Sequence, residues 1–209
     1  TYFDRDGNLW LGLDKGIDIV QLNSYEYSLF GNSDMFGAGY ASAIYENELW
    51  LGTNQGLYHA PYKEGGPMPD DDDFQSHDLA KGQVWSLMSY DGHLFCCHDR
   101  GVYIIKGGKS RHIPLNGAWK LERLREWPDY LLGSSYDRLF LLKDNGRQWV
   151  FDSWIDGFDD ATKAFEEDSD GTIWFSHWIK GLFMLELDMT TKSITGAQFM
   201  SRSNGFPED

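Results

Sequence analysis

The chain has 209 residues, with 33 Asp and Glu against 18 Lys and Arg, a formal net charge of -15, and 16% aromatic residues. That charge argues against grip on a nucleic-acid backbone, which takes a basic surface. Two adjacent cysteines cannot supply a disulfide framework, and no apolar run approaches the ~20 residues of a membrane helix.

A short phrase recurs along the chain. It begins as Asp4-Arg5-Asp6-Gly7-Asn8-Leu9-Trp10-Leu11-Gly12, followed by Gly16-Ile17. It returns as Glu48-Leu49-Trp50-Leu51-Gly52-Thr53 with Gly56-Leu57-Tyr58, and in worn form as Asp91-Gly92-His93-Leu94-Phe95-Cys96-Cys97 with Gly101-Val102-Tyr103. A more worn copy is Asp129-Tyr130-Leu131-Leu132-Gly133, and a clear last one is Asp168-Ser169-Asp170-Gly171-Thr172-Ile173-Trp174-Phe175. The anchors Trp10, Trp50, Phe95, Leu131 and Trp174 are 40, 45, 36 and 43 residues apart. A period of about forty residues with about four strands per unit predicts propeller blades.

Within each unit, apolar and polar residues alternate over short runs, as half-buried strands require. Each Asp-Gly predicts a two-residue primed hairpin turn, with Gly supplying the positive φ. The run before the turn, such as 40–45 or 84–88, is expected to be the innermost strand. The phrase itself is the second strand, 57–60 a third, and a poorly marked run such as 110–114 the last. Trp119 to Trp127 could form a short helix, but its place in the repeat argues for a strand. The acidic run Asp70 to Asp73, after Gly65-Gly66-Pro67, reads as an exposed loop. One sheet buries little alone, so neighbouring blades are expected to cover each other's faces, with the anchor aromatics between them.

The fold expected is therefore all-β: four-stranded antiparallel propeller blades, about five repeats over residues 1–209, with no second domain. A closed five-bladed ring and an arc of a larger ring both fit, and the arc is the reading adopted. The repeat starts within three residues of Thr1, and Phe199 to Pro207 reads as the lead-in to another blade, so the chain reads as part of a longer protein.

Asp-x-Asp-Gly-Asn-Leu-Trp-Leu-Gly-Leu-x-x-Gly-Ile, with the Asn204-Gly205-Phe206-Pro207 lead-in, resembles the two-component regulator propeller repeat. The resemblance is strong in units one, two and five and weak in three and four. It implies a periplasmic sensor region of an inner-membrane regulator, often seven-bladed, followed by a sandwich domain, a membrane helix and a histidine-kinase or helix-turn-helix output. It also implies glycan fragments as ligands, the rest of the same protein as partner, and a possible homodimer. The phrase from Gly12 to Asp18 with Leu22-Asn23-Ser24 is most similar to the helix-turn-helix variety.

The residues give other chemistry little support. Asp4-x-Asp6-Gly7 and Asp168-x-Asp170-Gly171 begin like calcium loops, but Lys15 and Ile179 occupy the twelfth position, where a Glu is needed, and the Gly comes too early. The Asp168 segment is also similar to the structural Asp-box turn of sialidase-like propellers. No arginine cluster accompanies it, and no carboxylate pair is singled out for glycoside hydrolysis. His59, His77, His93, His98, His112 and His177 lack metal-binding spacing, and no nucleotide or nucleophile-elbow fingerprint occurs. Neither a catalytic residue, a metal nor a cofactor is expected. Propellers bind ligands at the mouth of the central channel, and sugar rings stack on aromatic faces. Tyr40, Trp85 and Trp119 start successive inner strands, and Trp154, His177 and Trp178 fall in less repetitive segments. These six are the candidate ligand residues, with inter-blade packing as the alternative for each tryptophan.

Overall fold

The computed structural model describes residues 1–22, 29, 36–78, 81–160 and 162–201. Asn23-Ser24 and the lead-in from Asn204 to Pro207 lie outside the described residues. The chain divides into two compact units, Thr1–Ser33 and Asp34–Asp209. Among the described residues no helix is long and apolar enough to cross a membrane.

The first unit is a three-stranded antiparallel sheet of β1 (Tyr2–Phe3), β2 (Asn8–Leu13) and β3 (Gly16–Gln21). The second holds four sheets, each of four consecutive antiparallel strands. They are β4 (Gly39–Tyr45), β5 (Glu48–Thr53), β6 (Leu57–Pro61) and β7 (Gln75–Ser76); then β8 (Val84–Tyr90), β9 (His93–His98), β10 (Gly101–Lys106) and β11 (Lys109–Pro114). The next is β12 (Lys120–Arg123), β13 (Tyr130–Ser134), β14 (Leu139–Asp144) and β15 (Trp149–Trp154). The last is β16 (Ala164–Glu167), β17 (Ile173–His177), β18 (Gly181–Asp188) and β19 (Ser193–Phe199). Of the segment from Trp119 to Trp127, residues 120–123 form strand β12 and residues 124–127 are neither strand nor helix. A 3-10 turn, Asp71–Asp73, sits in the exposed acidic loop.

The alternation of side chains along each strand explains the stacking. On β9, Leu94 and Cys96 pack, together with Val84 of β8, against Tyr45, Trp50 and Leu57 of the preceding sheet. On the same strand Phe95 and Cys97 face the other way, onto Leu121, Leu131, Phe140 and Leu142. The next sheet repeats this: Leu132, Leu139 and Leu141 turn to Phe165, Ile173, Phe175 and Leu185. Strands β9, β13 and β14 are thus apolar on both faces. The first strands β4, β8, β12 and β16 lie next to one another in succession, which is the radial arrangement of propeller blades.

Turn chemistry departs from the expectation at two of the Asp-Gly sites. Asp91-Gly92 has φ of 49° and 64° and is the primed two-residue turn expected, as are Glu46-Asn47 (51° and 61°) and Gly107-Gly108 (54° and 69°). At Asp4–Asn8 and Asp168–Thr172 only the glycine has positive φ, 81° and 87°. There the Gly amide donates to the Asp carbonyl at 3.4 Å, and the Asp amide donates to the carbonyl two residues before the anchor Trp, at 3.1 and 3.0 Å. This is a longer turn with a bulge, in which the aspartate side chain replaces backbone pairing. Asp4 accepts from the amides of Asp6 and Asn8 and from the Trp10 indole N–H, all at 2.9 Å. Trp174 donates to Asp168 in the same way at 2.7 Å. The anchor tryptophan therefore closes its own turn in these two copies.

Candidate functional site

The starts of the inner strands converge. Tyr40 and Trp85 are the extra residues of two β-bulges, where the register slips between Gly39 and Ala41 and between Val84 and Ser86. A bulge re-aims the side chain it inserts, and both rings turn towards each other, with centroids 5.4 Å apart. Trp119 precedes β12, its amide donating to the Ser134 carbonyl at 2.7 Å and its carbonyl accepting from the Ser86 hydroxyl at 2.9 Å. Its ring lies 4.3 Å from Trp85.

Two further residues complete the cluster. Tyr136, in the β13–β14 connection, lies 4.7 Å from the Trp119 ring, and its hydroxyl accepts the Trp85 indole N–H at 2.8 Å. Burial pushes its phenol pKa up, the Trp85 hydrogen bond opposes this, and the Asp99 charge adds to the rise. The ring fits because residue 117 is glycine, with φ 69°; a Cβ there would stand 2.4 Å from it. Lys163, preceding β16, extends its ammonium over Trp85 at 3.9 Å, Trp119 at 4.5 Å and Tyr40 at 5.8 Å. Its backbone is held by Thr162, whose amide donates to the Ser134 hydroxyl at 3.1 Å and whose hydroxyl donates to the Ser176 carbonyl.

A cavity of about 480 Å³ opens beside this cluster, lined by Trp119, Tyr136, Thr162, Lys163, Ala164, Ser176 and Trp178. A second, also about 480 Å³, shares Lys163, Ala164 and Ser176 and adds Lys120, Phe165, Glu166, Trp174 and Leu182. Each falls within the range of small-molecule sites. Aromatic faces, hydroxyls and one ammonium can bind and orient a ring-shaped polar ligand. Among the described residues no group of three His, Cys, Asp or Glu could hold a metal ion.

Of the six sequence candidates, Tyr40, Trp85 and Trp119 come together, and Trp178 lies on the cavity wall with 87% of its surface exposed. His177 is adjacent, but its Nδ1 accepts the amides of Ile179 and Lys180 at 3.1 and 2.9 Å, so it closes a turn. Its Nε2 faces Asp160 at 3.8 Å, a carboxylate that Lys180 pairs at 2.6 Å. Trp154 lies apart, on the outer strand β15, against Phe151 and Phe140 and under the Arg138 guanidinium at 5.4 Å. Lys163 and Tyr136 escaped the sequence reading. The signal for Lys163 was positional: it precedes Ala164, the partner of Ser176, as Tyr40 precedes Ala41, the partner of Gly52. Tyr136 sits in a connection with no repeating composition.

No protein-family model matches the chain, and no curated protein matches it. Among solved structures it is similar to the extracellular domain of BT4673 from B. thetaiotaomicron, described as a one-component system, with a TM-score of 0.63 at 15% identity over 93% of this chain. A second structure of BT4673, described as a hybrid two-component system, gives 0.60 at 18% over 94%. The corresponding domain of BT3049 gives 0.52 at 18% over 93%. The chain spans 30%, 26% and 29% of those chains. The WD40 propeller domain of Doa1 gives 0.52 at 15% over 75% of this chain and 53% of that one. The all-β blades described above are thus those of the β-propeller fold, and the chain is a propeller segment.

Proposed function

We propose that this chain is a ligand-recognising propeller segment from the extracytoplasmic sensor region of a bacterial signalling regulator. Its role is binding without turnover. One observation carries the reading: four successive inner strands deliver Tyr40, Trp85, Trp119 and Lys163 to one place beside a cavity. Packing between neighbouring sheets does not require residues from all four to meet. The likeness to extracellular domains of B. thetaiotaomicron regulators, and the resemblance of the repeat phrase, support the periplasmic setting. A saccharide suits the cavity because its apolar ring faces stack on indoles while Ser176 and Tyr136 meet its hydroxyls. Ligand binding would act by favouring one conformation or association state of the whole ectodomain.

The test is a thermal-shift screen against oligosaccharides of several classes, with reducing-end release followed in parallel. A shift with one class and no released ends supports the reading. Trp119→Ala should abolish that shift while the circular-dichroism spectrum stays that of the parent. A structural spacer is the second reading, favoured by the mutual tilted and edge-to-face packing of Trp85, Trp119 and Tyr136. It predicts no shift with any ligand and loss of fold in Trp119→Ala.

A further inference from the structure

Resting on the ligand-recognition reading of this site, we infer that the ligand carries a carboxylate on a sugar ring, a uronate, and that Lys163 and Tyr136 are the pair of donors that select it. The lining of the cavity is unusual for so acidic a chain. Net charge is -15, yet none of the described residues facing this cavity is a carboxylate, and one is a lysine. Lys163 is exposed, its ammonium meets only aromatic faces, and among the described residues no acidic group pairs with it. Among the described residues, Glu166 is bound by Lys120 and Asp160 by Lys180, and Asp99 lies 3.7 Å from Arg100.

Tyr136 supplies the second donor. Its oxygen accepts the Trp85 N–H, so its own proton is left to donate, and no acceptor for it occurs among the described residues. An ammonium and a phenol hydroxyl without acceptors among the described residues, on one cavity wall, form a site for an anion. The three rings behind Lys163 hold the ammonium in place by attraction to their faces but leave its charge unneutralised on the open side. Hydrogen bonds between ionised partners are about twice as strong as neutral ones. The exposed Trp178 face and Trp119 flank this position and suit a pyranose ring, which places the charge on a sugar acid.

The experiment is calorimetric titration of the full chain with oligogalacturonates and glucuronate disaccharides, their neutral counterparts with hydroxymethyl in place of carboxyl, and sulfated sugars. A uronate should bind at least about tenfold tighter than its neutral counterpart, the effect of one charge-assisted hydrogen bond, and added salt should weaken it. Lys163→Met, which keeps the stem, should bring uronate affinity down to the neutral level. Lys163→Arg should retain most of it, and Tyr136→Phe should weaken it with circular dichroism unchanged. Equal binding of neutral and acidic sugars, sensitive to Trp119→Ala but not to Lys163→Met, overturns the inference and leaves the ligand reading standing. Preference for sulfated over carboxylated sugars also overturns it. Absence of binding by every sugar overturns both.

Discussion

Asp4 and Asp168 show how one side chain sets a turn. Hydrogen bonds from the Trp10 indole, then from Asn8, hold the Asp4 carboxyl at about 2, below its ordinary value of 3.8. The Asp170 side chain and the Trp174 indole hold Asp168 at about 2 as well. Because the folded pKa is depressed, the stabilisation is present in full above about pH 4 and is lost as pH falls towards 2. Trp10→Phe removes the first of these hydrogen bonds, so the Asp4 carboxyl should titrate nearer its ordinary value in an NMR pH series; an unchanged midpoint would remove the indole from the account. The Gly of the repeated phrase has a different cause, visible at Gly52. A Cβ there would meet Val84 of the next sheet at 2.4 Å. Gly52→Ala should therefore cost about 1–3 kcal/mol, as overpacking does, read from the urea midpoint.

At the scale of elements, the second and third strands of the middle sheets are the parts that cannot be changed. Phe140 on β14 is fully buried between sheets, and Phe140→Ala should cost about 3–5 kcal/mol in denaturant unfolding. Cys96 and Cys97 sit on opposite faces of β9 in two different cores. Burial drives both thiols upwards, Cys97 to about 12, so neither is a thiolate at neutral pH. Neither should react with an aromatic disulfide reagent until the chain unfolds; labelling of the native protein at a free-thiol rate would contradict the buried strand. Inner strands work differently. The bulges at Tyr40 and Trp85 divert side chains out of the sheet alternation, and a period-two pattern carries no mark of such a diversion.

At the scale of the whole molecule, stability comes from contacts between sheets. A peptide of residues 84–114, one complete sheet, should stay unfolded by circular dichroism, because both its apolar faces need neighbours. Much of this was legible in advance. The buried anchors Trp50, Phe95 and Leu131, the strand alternation, the order of strands in each blade and the two-faced cysteine pair follow from periodicity, because burial on a strand repeats every second residue, whereas Trp10 and Trp174 turn to their own aspartates. Tyr40, Trp85 and Trp119 were legible as a set, because equivalent repeat positions lie at equivalent radii. The remainder depended on folding. Two Asp-Gly turns took the longer form because an aspartate carboxylate out-competed backbone pairing. Trp154 went to an outer strand, and His177 to a turn. Lys163 and Tyr136 meet at the cavity only because separate sheets bring segments distant in sequence, 40 to 163, to one place. A sequence by itself records repeat spacing and side-chain chemistry; which side chains share a wall is decided by the close packing of one sheet on the next.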